Sequence, residues 1–101
     1  MVSRNIDVPM EKIAEFCRKW RIRRLSLFGS VLREDFGPDS DVDVLVSFEP
    51  DSTWDLFDLV DMRDELVPLF DREVDLVEEE GLRNPFRRSS ILSTRQVVYA
   101  A

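Results

Sequence analysis

The chain contains no histidine and a single cysteine, Cys17. Without histidine the usual general base is missing, which excludes Ser-His-Asp and Cys-His nucleophile chemistry. One cysteine cannot form a disulfide within the chain, and a structural zinc site would have too few soft ligands. No stretch reaches the roughly 20 apolar residues of a membrane span. Residues 1–10 hold Arg4, Asp7 and Pro9 and no apolar run, so they do not read as a signal peptide, and a cytoplasmic protein is expected. Repeats, linkers and low-complexity tracts are missing too. Any catalysis must therefore rest on carboxylates, hydroxyls, backbone groups and metal ions. Oxygen-rich sites suit Mg²⁺, Mn²⁺ or Ca²⁺.

What is present fits one small globular unit. A length of 101 residues implies a single domain, 1–101, with one modest core, and an apolar fraction of 44% is ordinary for a folded chain. The net charge of −7 is unevenly spread. Residues 1–33 sum to +5, residues 34–80 to −16 and residues 81–101 to +4. An acidic middle argues against a general nucleic-acid binder, whose footprint should be basic. It fits a cation site or a solvated acidic face, while the basic ends could meet phosphates or an acidic partner.

The hydrophobic pattern predicts a helix over 9–20, where Ile13, Phe16, Cys17 and Trp20 fall on one face and Asp7 is the expected cap. A short strand follows over 24–28, then a helical turn over 31–35 and a Gly/Pro/Asp/Ser loop over 36–40. Residues 42–48 read as a β-branched strand. A second helix is expected over roughly 54–67, opened by a capping box from Ser52 to Asp55 and ended by Pro68. Its apolar stripe is Leu56, Leu59 and Val60, in line with Arg63 and widened by Trp54, Phe57 and Leu66. A third strand covers 73–77. Asn84-Pro85 starts a helix through Leu92, and 96–99 forms a last edge strand. This order predicts a small α+β (two-layer α/β) fold, a mixed sheet with flanking helices.

Three features carry chemistry. Gly29-Ser30 ends a strand and opens a helical turn, where a backbone can approach a ligand and unpaired N–H groups favour phosphate. Taken alone, the dipeptide is an ordinary turn. Asp41 and Asp43 are spaced i and i+2, so on a strand both carboxylates would leave one face while Val42 and Val44 enter the core. Two like charges so placed call for a counter-cation, although a bare Asp-x-Asp is more often a solvated strand face. Asp75 is a lone acid in an apolar strand, where acids are depleted. If its strand lies beside that of Asp43, three carboxylates line one patch, as a two-metal phosphoryl-transfer site requires. Asp75 could then also take the proton of an attacking hydroxyl. The run Asp39-Ser40-Asp41-Val42-Asp43 also opens like a calcium-binding EF-hand loop. That loop needs Gly and Glu where this chain has Val44 and Pro50, and the match fails.

Leu27-Phe28-Gly29-Ser30, ten further residues and then Asp41-Val42-Asp43 together resemble the signature of the DNA-polymerase-β-like nucleotidyltransferase superfamily. Asp75 falls where that family's third carboxylate is expected. Residues 33–40 and 56–59 and Leu82-Arg83-Asn84-Pro85 are similar to stretches of the minimal nucleotidyltransferases of prokaryotic toxin–antitoxin pairs, the MntA type, and the resemblance spans roughly residues 10–100. It implies a polymerase-β-like fold and transfer of AMP from ATP to a tyrosine of a HEPN-domain ribonuclease toxin, which neutralises the toxin. Carried over residue by residue, Asp41, Asp43 and Asp75 would hold two Mg²⁺ (or Mn²⁺) ions, and Asp75 would serve as base. Gly29 and Ser30 would cradle the triphosphate. Larger relatives often continue the Gly-Ser with Ala-Arg-Gly; here Val31-Leu32-Arg33 follows, which leaves Arg33 as the matching cation.

So small a domain has little surface left for an acceptor, so a partner protein should complete the site and assembly with it is expected. Trp54, Phe57 and Phe86 are candidate contacts, with core packing the favoured reading of each. Neither a membrane nor a nucleic acid is an expected partner. A second reading is an antitoxin that neutralises by binding alone. Others are a transferase with a small-molecule or RNA acceptor, or an acidic domain without a metal. The complete set of three acids favours catalysis.

Overall fold

The computed structural model describes residues 5–101; Arg4 and the other first residues of the stretch read above as unlike a signal peptide lie outside the described residues. In chain order the elements are α1 (Met10–Lys19), β1 (Ile22–Phe28), a 3-10 turn (Gly29–Leu32), β2 (Val42–Phe48), α2 (Leu56–Phe70), β3 (Val74–Glu78), a second 3-10 turn (Glu79–Gly81), α3 (Pro85–Thr94) and β4 (Gln96–Ala100). The sheet has the order β3-β2-β1-β4. β1 is antiparallel to both β2 and β4, whereas β2 and β3 run parallel. A parallel pair needs a long crossover, and α2 supplies it. The fold is the expected small mixed α+β sheet with helices.

Period-two alternation explains how the layers assemble. Val42, Val44, Val46 and Phe48 of β2 pack with Ile13, Phe16 and Cys17 of α1 and with Met62, Leu66 and Phe70 of α2. Each such buried side chain contributes about 1.5–3 kcal/mol. Phe28 and Leu45 instead join Leu82 and Ile91 in a smaller cluster with α3. Glu79, 9% exposed, ties this second layer down. Its carboxylate faces Arg24 and Arg95 at 3.6 and 3.3 Å, and its carbonyl accepts from Arg88 at 2.9 Å.

The local expectations hold in part. Asn84 caps α3 as expected, its side chain accepting from the N–H groups of Phe86 and Arg87, with Pro85 in the first turn. Pro9, not Asp7, occupies the cap position of α1. The capping box of α2 lies three residues beyond the predicted one. Asp55 accepts from the Asp58 N–H at 2.9 Å and Asp58 from the Asp55 N–H at 3.0 Å. Ser52 closes a turn on the Glu49 carbonyl instead. Pro68 does not end α2, which continues through the buried Phe70 to Asp71, a left-handed C-cap with φ 54°. The loss of one helical hydrogen bond at Pro68 is tolerated one turn from the end, where burial of Phe70 holds the chain.

The apolar stripe of α2 needs a larger correction. Met62, Leu66 and Phe70 form its buried face. Leu56 and Phe57 are 72% and 79% exposed, and Phe86 on α3 is 85% exposed. Of the three aromatic residues read as core, only Trp54 packs. It meets Trp20 edge-on at 5.2 Å and donates from Nε1 to the Trp20 carbonyl.

Cys17 lies fully inside, and burial pushes its thiol up to about 12, the neighbouring Arg18 acting weakly the other way. The neutral thiol's contribution to stability is therefore complete below the ordinary 9.0 and lost as pH rises toward 12. Ellman's reagent is expected to leave Cys17 unmodified in the native chain at mildly alkaline pH and to titrate one thiol after denaturation. Rapid native labelling would contradict this burial.

Candidate functional site

β2 lies between β1 and β3, and its first residues carry the acids. In register, Asp43 stands opposite Asp75 on β3 and opposite Phe28 on β1. Gly29 follows Phe28 directly and opens the 3-10 turn, so the end of β1, Asp43 on β2 and Asp75 on β3 form a row, its strands spaced about 4.8 Å apart. The condition set for Asp75, a strand beside that of Asp43, is thereby met. Asp41 differs from its expected place: β2 starts at Val42, and Asp41 is the exposed residue just before it.

Asp41 is held in position by its loop. Arg72 donates from Nη1 to the carbonyls of Gly37 (2.7 Å) and Ser40 (3.0 Å), with its guanidinium 4.5 Å from the centre of the Phe36 ring. The Val42 N–H bonds to the Glu73 carbonyl at 2.9 Å, fastening the start of β2 to the strand that carries Asp75. With the acids read as Mg²⁺ ligands, Arg72→Ala is expected to raise the Mg²⁺ concentration needed for transfer about tenfold to a hundredfold while the chain stays folded. A Mg²⁺ titration of rate checks it, and an unchanged curve would separate Arg72 from the acids.

Gly29 has φ +74°, and a Cβ built on it would run into the Asp43 carboxylate. Only glycine lets the turn come this close to the acid. Ser30 sits in the 3-10 turn, half-buried, and its carbonyl accepts from the Arg33 N–H at 2.9 Å. A cleft of about 500 Å³ opens here, and Gly29, Arg33 and Arg87 are part of its wall. Beyond the other end of the row lies a second cleft of about 440 Å³, which includes Asp41 and Asp75.

The electrostatics follow the geometry. Burial, then the Asp75 carboxylate, then that of Asp41 push the Asp43 carboxyl above its ordinary value, while Arg33 and Arg87 pull it down. Three acids crowd together with two cations on one side. Among the described residues no three acidic side chains close into a ready-made metal cage. Mg²⁺ usually binds one or two carboxylates plus substrate phosphates, so this open donor set fits it better than a closed cage would.

The sequence of residues 10–98 matches the nucleotidyltransferase domain family. The chain belongs to that family. Protein adenylyltransferase MntA of Thermococcus cleftensis is 32% identical to this nucleotidyltransferase over 85 residues, which are 84% of this chain and 81% of its own. A solved structure described as a candidate minimal nucleotidyltransferase is 34% identical, with a TM-score of 0.70 over 86% of each chain. The fold is also shared with a chain of the complex between tri-AMPylated Shewanella oneidensis HEPN toxin and MNT antitoxin (TM-score 0.65, 20% identity, 91% of this chain and 70% of that one).

In this nucleotidyltransferase one candidate residue escaped the sequence reading. Arg87 comes from α3, far along the chain, and shares the cleft of Gly29 and Arg33. The only signal for it was the surplus of arginine in the last twenty residues. Its place depends on α3 folding back over the sheet.

Proposed function

We propose that this chain is a single-domain, Mg²⁺-dependent antitoxin that transfers AMP from ATP to a tyrosine of a cognate HEPN ribonuclease toxin and so neutralises it in the cytoplasm. The observation that carries the reading is the row from Gly29 through Asp43 to Asp75, with Arg33 and Arg87 in the cleft at the Gly29 end. The name of the Thermococcus relative and the AMPylated HEPN toxin of the Shewanella complex support the choice of reaction and partner. Among the described residues no helix is long and apolar enough to cross a membrane.

On this reading each residue has a separate task. Asp41, Asp43 and Asp75 hold the divalent cations. Bound there, Mg²⁺ would offset the triphosphate charge and make the α-phosphorus more open to attack. The Gly29 turn and Ser30 bring backbone N–H groups to the triphosphate, since the first N–H groups of a helical turn lack partners within it. Arg33 and Arg87 add positive charge on the same side. Asp75, at the opposite end, receives the proton of the acceptor hydroxyl.

Intact-mass spectrometry of the cognate HEPN protein, incubated with this chain, Mg²⁺ and ATP, tests the proposal. A gain of whole AMP units with wild type, and none with Asp41→Ala/Asp43→Ala, is expected. No gain, with the two proteins still co-eluting, would replace catalysis by the binding-only antitoxin.

A further inference from the structure

The row of Gly29, Asp43 and Asp75 has a cleft at each end, and the two differ in chemistry. The β1 end carries Arg33 and Arg87. The β3 end runs between α2 and the edge strand, where Asp41, Glu73 and Asp75 outnumber a single cation, Arg63, and Leu56, Leu59, Val60 and Leu76 form the apolar part of the lining. We propose that this second cleft is the acceptor subsite, and that the N-terminal half of α2 is the surface on which the acceptor protein docks. The inference rests on the transferase reading above.

Two observations lead to it. The first is the direction of attack. In nucleotidyl transfer the attacking and leaving oxygens lie roughly in line on opposite sides of the phosphorus. Both arginines near Asp43, and the Gly29 turn, lie at the β1 end and mark the side of the triphosphate. The acceptor oxygen must then arrive from the β3 end. There the hydroxyl oxygen bonds to the α-phosphorus, the bond from that phosphorus to the β-bridging oxygen breaks, and pyrophosphate leaves. The hydroxyl proton passes to Asp75 and then to water.

The second observation is the double stripe of α2. Met62, Leu66 and Phe70 satisfy the core. Leu56, Leu59 and Val60, spaced i, i+3 and i+4, form another apolar stripe that lines the cleft, with Leu59 also packing against the edge of the core. Leu56 and Val60 are 72% and 39% exposed, and Phe57 beside them is 79% exposed. One exposed leucine needs no account, but a contiguous apolar patch continuous with the reacting carboxylates does. A triphosphate gains nothing from the stripe itself, and the three acids of the same lining outweigh its one cation, Arg63. A hydroxyl carried on an apolar protein surface does gain, because docking on the stripe directs the oxygen toward Asp75.

The double substitution Leu56→Ser/Val60→Ser tests this, with Val97→Ser as control. Val97 is 44% exposed on β4, at the opposite edge of the sheet. Thermal melting first checks that each variant folds. A fluorescent ATP analogue with Mg²⁺ measures nucleotide affinity, and AMP incorporation into the cognate HEPN protein gives kcat and KM. The double variant is expected to raise the acceptor KM at least about tenfold, as loss of a docking hot spot does, with nucleotide affinity unchanged and the control like wild type. An unchanged acceptor KM overturns the inference. So does weakened nucleotide binding, which would place the base or sugar in this cleft. A wild-type chain that transfers no AMP overturns the transferase reading itself, and this inference with it.

Discussion

Asp43→Asn is expected to lose AMP transfer by at least about a hundredfold and yet to melt at a higher temperature than wild type near neutral pH. The first effect follows from its place in the row. Even groups that only orient a metal ligand cost 10–100-fold when removed, and Asp43 is the acid that stands between Gly29 and Asp75. The second follows from crowding. Burial and the carboxylates of Asp75 and Asp41 hold the Asp43 proton more tightly in the folded chain than in the unfolded one. Such a group stabilises the fold only while protonated, and its charge opposes folding once the pH exceeds its folded pKa. Asparagine has the same shape without the charge, so the gain in melting temperature should be full near neutral pH. It should fade as pH falls toward 3.8, the carboxyl's ordinary value. Mg²⁺ with nucleotide should stabilise wild type by mass action and the variant much less. Calorimetry across pH, with and without Mg²⁺, reads all of this. A variant that melts lower than wild type at neutral pH would show that Asp43 is not crowded by like charge.

That exchange of stability for function clarifies what was legible in the sequence. The strands, the Asn84-Pro85 helix start and the Gly-Ser turn rest on local rules of alternation, capping and backbone freedom, and the structure keeps them. Asp41 and Asp43 were visible as a spaced pair and Asp75 as an acid out of place, but whether Asp75 would meet Asp43 depended on β3 joining β2, which no local pattern states. The α2 face was misread for a physical reason. Leu56, Leu59 and Val60 have the same spacing as a core stripe, and periodicity does not distinguish a face that meets the sheet from one that lines a cleft. The core face of Met62, Leu66 and Phe70 runs along the same helix with the same period. Arg87 left no local trace, because its role is made by tertiary folding: Asn84 and Pro85 set where α3 starts, and the arginines around Glu79 hold it over the sheet. Of the misread and missed positions, Leu56, Phe57, Val60 and Arg87 are assigned by the proposals to the acceptor and the nucleotide, whereas Phe86, 85% exposed on α3, is assigned to neither. Sites built for a second molecule break the rules that a core obeys.

Gly29→Ala should show the same loss of transfer, at least about a hundredfold, with the opposite effect on stability. Gly29 has φ +74°, a region that costs an L residue roughly 1–2 kcal/mol. For a domain of this size each kcal/mol lowers the melting temperature by about 4–8 °C. The new Cβ would also stand 3.2 Å from the Asp43 Cγ and closer still to its Oδ2. Asp43 would have to rotate away, which takes the acid out of the row and moves the turn off the triphosphate. The two costs can be separated by a double-mutant cycle. In an Asp43→Ala background the methyl group meets no carboxylate, so Gly29→Ala should lower the melting temperature less than it does in wild type, leaving only the backbone term. Equal losses in the two backgrounds would mean that Gly29 serves its own turn alone, and that the close approach to Asp43 is a by-product of the fold.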